Sequence, residues 1–69
     1  MSKTPVRGGE EVVAALIHHG FVVMRQKGSH VILIREHITV VVPVHSNRDL
    51  PVGTLKQIMK ITCLSAQDF

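Results

Sequence analysis

The sequence predicts an α+β fold, a two-layer sandwich in which both helices lie on one face of an antiparallel three-stranded sheet. Apolar residues recur at helical spacing near both ends of the chain, whereas the middle contains three short runs rich in Val and Ile. The links between these runs are short enough to require hairpins. A chain of 69 residues can build one modest core. Two helices on one sheet face would provide it, so we expect a single domain over residues 1–69.

The first helix is predicted over residues 9–19, after a loose N-terminal segment of residues 1–8. Glu10 and Glu11 fall in its first turn, where the helix dipole favours anions. Gly20 can adopt the left-handed conformation that ends a helix. The apolar side of this helix is predicted to contain Val12, Val13, Leu16 and Ile17.

Three strands and a second helix follow. The strands are predicted over residues 21–26, 30–35 and 38–43, with turns at residues 27–29 and 36–37. Pro43 ends the third strand because it cannot donate a backbone hydrogen bond. After a polar loop over residues 44–50, the second helix is predicted over residues 51–62, with Leu55, Ile58 and Met59 inward and Lys56 and Lys60 on another face. Ser65 is expected to cap a last turn over residues 66–68, and Phe69 to pack back onto the domain.

The second strand is apolar on both faces. Val31 and Leu33 point to one side of it, and Ile32 and Ile34 to the other. Helices can cover only one of these sides. The open side is therefore a candidate contact surface.

Composition and charge narrow the class of protein. Hydrophobic residues make up 45% of the chain and charged residues 19%, which indicates a folded protein, and the net charge of +3 favours a polyanionic partner. Cys63 is the only cysteine, so no internal disulfide can form. Its apolar neighbours predict a buried thiol. Because no stretch resembles a signal peptide or a membrane span, we expect a cytoplasmic protein.

His30 is the leading candidate for chemistry. It follows a turn in which Gly28 permits close approach of the backbone to a ligand and Ser29 supplies a donor, while Arg25 and Lys27 supply positive charge. Such a group suits a phosphodiester, and an imidazole can exchange a proton with a ribose 2′-hydroxyl near neutral pH. The alternative is a histidine at a strand end that only hydrogen bonds to a neighbour.

Other signals are weaker. His45 begins the polar segment HSNR, in which Ser and Asn are also ordinary turn formers. The five histidines and one cysteine lack the short spacings of a metal site, so no metal or other cofactor is expected. Phe21 and Phe69 are the only aromatic residues among Phe, Trp and Tyr, and both fall in core-like positions. A platform for stacking single-stranded bases is therefore not predicted.

Three stretches of the chain read GFVVMRQKGSHVILI, VVVPVHSNRDLPVGTLKQIMK and LSAQDF. In order and spacing they resemble the HicA toxin family of small messenger-RNA interferases, also called the YcfA-like family. The resemblance implies a fold like the double-stranded-RNA-binding domain, in the order α-β-β-β-α, and RNA cleavage with His30 as the essential residue. It also implies an antitoxin partner of the HicB family.

The chain departs from the family in two ways. The 36–37 turn is shorter than usual, and the first helix carries fewer cations. The leading hypothesis is a metal-independent endoribonuclease that acts through His30, with Arg25, Lys27, Gly28, Ser29 and His45 contacting RNA. A non-catalytic RNA-binding module and a pure protein-interaction domain are the competing hypotheses.

Overall fold

The computed structural model describes residues 8–45 and 49–69, and it confirms the predicted fold class and element order. The elements are α1 (Gly9–His18), β1 (Val22–Lys27), β2 (His30–Arg35), β3 (Ile38–Pro43), α2 (Val52–Thr62) and a closing 3-10 turn (Ala66–Asp68). The predicted boundaries are correct to within one residue. Most of the predicted loose N-terminus, residues 1–7, lies outside the described residues.

The three strands form one antiparallel sheet in the order β1-β2-β3. The chain reverses between β2 and β3 through Glu36 and His37, with Arg35 paired to Ile38. Glu36 has a φ of 56°, a conformation that non-glycine residues adopt rarely. The short predicted turn is therefore present, although its sequence contains no glycine.

One apolar core joins both helices to one face of the sheet. In the sheet, Val31 and Leu33 of β2 are buried together with residues of β3. The complete set of core residues is Val12, Leu16, Phe21, Val31, Leu33, Val40, Val42, Leu50, Leu55 and Ile58. Since fully burying a Val, Leu or Ile side chain contributes about 1.5–3 kcal/mol, this cluster is the main source of stability.

The other face of the sheet carries no helix and is called the open face below. Cross-strand pairing assigns to it Val22, Arg25, Lys27, His30, Ile32, Ile34, Thr39, Val41 and Pro43. Of the two alternatives that the apolar pattern of β2 permits, the structure therefore turns Ile32 and Ile34 away from the helices. Both side chains are half-buried by their neighbours in the sheet.

Two predictions about individual side chains were wrong. Ile17 was expected on the apolar side of α1, but its side chain is 50% exposed because the core contacts fall on Val12 and Leu16, one turn apart. Cys63 was expected to be buried, yet it is exposed. It ends α2 in a left-handed conformation with a φ of 60°, so the chain turns away at this residue and the thiol points outward.

The C-terminal turn is tied to the end of α1. The amide of Ser65 donates to Asp68 Oδ2 at 2.8 Å, and the Ser65 hydroxyl lies 3.1 Å from the same oxygen. Asp68 Oδ1 is 3.6 Å from His19 Nε2. The pKa of Asp68 is lowered below its ordinary value. The main cause is the hydrogen bond from the Ser65 amide, followed by the bond from the Ser65 hydroxyl and then by the nearby His19. The predicted turn at Ser65 is present, with Ser65 as its N-cap residue and the carboxylate of Asp68 as the reciprocal partner.

No helix within residues 8–45 and 49–69 combines the length and apolar character that crossing a membrane requires.

Candidate functional site

The hairpin turn between β1 and β2 consists of Gly28 and Ser29, flanked by the paired residues Lys27 and His30. Gly28 has a φ of 59°, which glycine adopts without the steric cost that a side chain would add. The side-chain amide of Gln26 donates to the Gly28 carbonyl at 3.1 Å and braces the turn. The Gly-Ser step therefore holds His30 at the first position of β2, as part of a fixed hairpin.

Cross-strand register places the imidazole of His30 on the same face as two cations. The two adjacent rows of the open face are Lys27, His30 and Pro43, and then Arg25, Ile32 and Val41. Residues directly opposite each other in an antiparallel pair share a face. Arg25, Lys27 and His30 are all exposed. The structure thus brings together the three side chains that the sequence selected for a phosphodiester.

A β-bulge in β1 adjusts this arrangement. Val23 pairs with Leu33 while Arg25 pairs with Ile32, so Met24 is the extra residue between them. A bulge of this kind shifts the strand by one residue and changes which side chains reach each face. Arg25 keeps its place on the open face. Val22 joins it there, opposite Ile34.

His45 is brought to the same end of the sheet by a backbone hydrogen bond. The amide of Val44 donates to the carbonyl of Ser29 at 2.6 Å, one residue beyond the last paired residue of β3. This bond holds the segment before His45 against the turn before His30. All six residues selected from the sequence therefore lie around one end of β2. The remainder of the HSNR segment, residues 46–48, lies outside the described residues.

Gly9, which the sequence reasoning missed, supports this end of the sheet from the helix side. A Cβ atom on Gly9 would lie 2.5 Å from the carbonyl oxygen of Pro43 and 2.9 Å from Cα of Val44. Only glycine permits α1 to begin this close to the chain that leads to His45. An isolated bridge also joins Gly8, the residue before α1, to Asp49. The sequence shows two adjacent glycines before a helix, but nothing in it reveals their distant partner.

The site is an open surface. A groove of about 260 Å³ lies on the helix side of the sheet and is lined by Glu10, Val13, Val23, Gln26, Val31 and Val44. His30 does not line this groove. An exposed imidazole beside two exposed cations is accessible to a long polyanion, whereas the groove on the opposite side is mainly apolar.

In residues 8–45 and 49–69, no three or more side chains of His, Cys, Asp or Glu are grouped so that they could hold a metal ion. Lys27 is the direct cross-strand partner of His30, and Arg25 occupies the next row of the open face. The donor set at this site therefore suits an anionic ligand.

Comparison with known proteins gives one family match. A family model described as the HicA toxin of bacterial toxin-antitoxin systems matches residues 9–63, most of the chain. The matched range runs from the first residue of α1 to the end of α2, and it includes every residue of the candidate site. No curated protein matches the chain significantly.

Proposed function

Because this chain belongs to the HicA toxin family of bacterial toxin-antitoxin systems, we propose that it is an endoribonuclease that cleaves messenger RNA. The observation that carries the proposal is the exposed imidazole of His30, which shares the open face with Arg25 and Lys27 behind a Gly-Ser turn. The family match supports a role as the toxin of a toxin-antitoxin pair. The grouping of these side chains suggests how it acts.

Each residue has a role that follows from its chemistry. His30 transfers a proton, because an imidazole nitrogen can accept or donate one. Arg25 and Lys27 attract the RNA backbone and stabilise negative charge that develops on the phosphate. The Ser29 hydroxyl orients the phosphate, and Gly28 leaves room for it, because no protein atom lies within 4 Å of the position its Cβ would occupy. His45 contacts the RNA at the β3 side.

The reaction uses the nucleophile that RNA itself carries. The 2′-oxygen loses its proton and forms a bond to the adjacent phosphorus, and the bond from phosphorus to the 5′-oxygen breaks. The products are a cyclic phosphate and a 5′-hydroxyl. Side chains supply the proton transfers and the charge stabilisation, so the reaction requires no metal ion. DNA lacks the 2′-hydroxyl and is not cleaved.

A HicB-family antitoxin is the proposed protein partner, and we place its contact on the open face. Ile32 and Ile34 are apolar neighbours of His30 on alternate positions of β2. Val22 and Val41, 64% and 45% exposed, extend this apolar area to both edge strands. A partner packed here would bury apolar surface and cover His30 at once, which inhibits the toxin by occlusion.

The alternative is a non-catalytic RNA-binding module with the same fold. The shape of the site supports this alternative, because His30 is exposed on an open face whose described residues form no enclosed pocket for a phosphate. In that case the imidazole would contact RNA and the cations would supply the affinity. A pure protein-interaction domain would use the apolar residues of the open face alone.

Incubation of the purified chain with end-labelled RNA, with and without EDTA, separates these functions. We expect cleavage at the same rate in both samples, with products that end in a cyclic phosphate. Retarded but intact RNA would support the binding module, and unbound, intact RNA would support the interaction domain. Cleavage that stops in EDTA and returns with one divalent ion would contradict the metal-independent mechanism.

A further inference from the structure

His30 is the first residue of β2, and His45 lies two residues beyond the end of β3, the strand that pairs with β2. His30 pairs with Pro43, and the 2.6 Å hydrogen bond from the Val44 amide to the Ser29 carbonyl continues the pairing by one residue. His45 is therefore the diagonal neighbour of His30, two positions beyond its direct partner. Diagonal neighbours in antiparallel pairs lie about 7–8 Å apart and remain within reach of long side chains.

Both histidines also lie on the open side of the sheet. Side chains alternate between the two faces along an extended chain. Val44 packs against the core, so its neighbours Pro43 and His45 are on the opposite side. His30 and His45 are both exposed. Two imidazoles on one face and at this spacing can contact the same bound phosphodiester.

The proposed reaction needs two proton transfers at different atoms. One proton leaves the 2′-hydroxyl as its oxygen bonds to phosphorus. Another must reach the 5′-oxygen, which departs with the electron pair of the broken bond. An imidazole that removes the first proton lies beside the attacking 2′-oxygen and not beside the departing 5′-oxygen. A second group that donates a proton to the 5′-oxygen therefore accelerates the step.

We infer that His45 is this second proton-transfer residue and that the two histidines divide the acid and base roles between them. The inference rests on the proposed function, since it assigns a further residue to the same reaction. The described residues that flank this part of the chain are held by contacts with other segments. The Val44 amide donates a hydrogen bond to the Ser29 carbonyl, and Val44 packs against Gly9. Asp49 forms a β-bridge with Gly8.

The test is the pH dependence of kcat/KM for RNA cleavage in the wild type and in His45→Ala and His45→Gln. We expect the wild type to lose activity at both low and high pH, because it needs one neutral and one protonated imidazole. Both variants should lose one side of this profile, and kcat should fall about 10²- to 10⁴-fold. Glutamine keeps hydrogen-bonding groups but cannot transfer a proton in this pH range, so it separates catalysis from binding.

Several outcomes would overturn the inference without affecting the proposed function. If His45→Gln keeps the wild-type kcat and the two-sided profile, or if only KM rises, His45 contacts RNA and does not transfer a proton. The matched control is His37→Ala, an exposed histidine in the turn at the other end of β2, which should leave the profile unchanged. Failure of the proposed function is distinct, because the wild type itself would then not cleave RNA.

Discussion

Gly9, the first residue of α1, packs against the backbone of Val44, which carries the chain from β3 to His45. A Cβ on Gly9 would lie 2.9 Å from Val44 Cα and closer still to the Pro43 carbonyl oxygen. Both neighbours are backbone atoms, and Val44 is also bonded to Ser29. The added atom therefore forces a shift of α1 or β3, and we expect Gly9→Ala to lower the free energy of unfolding by about 1–3 kcal/mol.

Urea unfolding checks this prediction, and Gly53→Ala is its control. Gly53 lies in the first turn of α2, and a Cβ there would meet no atom within 4 Å. Alanine in a helix is more favourable than glycine by up to about 1 kcal/mol, so this variant should be as stable as the wild type or more stable. If the two alanine variants have the same unfolding midpoint, the contact between Gly9 and Val44 is not tight.

The cations of the open face should govern the salt dependence of RNA binding. Arg25→Ala and Lys27→Ala should each weaken binding regardless of sequence, since a phosphate contact carries no sequence information. Each lost contact should make the slope of log affinity against log salt shallower by about 0.7 for a single strand. Binding titrations at several salt concentrations, made with RNA that cannot be cleaved, measure this slope.

Lys60→Ala is the matched control for these variants, because Lys60 is an exposed cation of α2, on the other side of the sheet. Its slope should equal that of the wild type. If Arg25→Ala and Lys27→Ala also keep the wild-type slope, RNA does not bind at the open face.

The apolar part of the open face should carry the affinity for the antitoxin. Replacing Ile32 and Ile34 together by Thr keeps β-branched side chains and strand preference but weakens apolar contacts. Because a loss of about 1.4 kcal/mol is tenfold in Kd, we expect binding weaker by tenfold or more. Ile61→Thr, on the exposed side of α2, should not change the Kd. Equal affinity of the double variant and the wild type would place the interface elsewhere.

Asp68 should make stability depend on pH in the acid range. Its pKa in the folded protein lies below the ordinary value of 3.8, mainly because the amide and then the hydroxyl of Ser65 donate to the carboxylate. Such a carboxylate stabilises the fold above its unfolded pKa, and this contribution disappears as the pH falls through the folded pKa. Asp68→Asn should therefore be less stable than the wild type at neutral pH, with unfolding midpoints that converge in strong acid.

Parallel urea curves between pH 7 and the acid range measure this convergence. A difference between the two proteins that stays constant down to the lowest pH would mean that the ionised carboxylate of Asp68 does not stabilise the C-terminal turn.

The fold class was predictable because its signals are local. Helical spacing fixed the core residues Val12, Leu16, Leu55 and Ile58, and alternation along β2 limited its buried side to two choices. Which choice is realised depends on the connections between elements, and the sequence left it open. Ile17 and Cys63 show the limit of local reasoning, since apolar neighbours in sequence do not make a side chain face the core.

The residues of the candidate site could be chosen from the sequence, but their arrangement in space could not. His30 could be selected because the Gly-Ser turn, the nearby cations and the family resemblance all point to one hairpin. The placement of His45 beside it depends on the bond between Val44 and Ser29, which joins two distant segments. The bulge at Met24 and the packing of Gly9 have no local signature either, because both arise from contacts made only in the folded chain.

Single-turnover cleavage of one labelled RNA by His30→Ala and by His37→Ala tests the central claim most directly. The two histidines are exposed and lie at opposite ends of the hairpin segment that contains β2, so neither substitution should reduce stability by more than about 0.5 kcal/mol. Loss of a proton-transfer group costs about 10²- to 10⁴-fold in rate. We predict that loss for His30→Ala and the wild-type rate for His37→Ala. A folded His30→Ala protein that cleaves RNA as fast as His37→Ala would contradict the account.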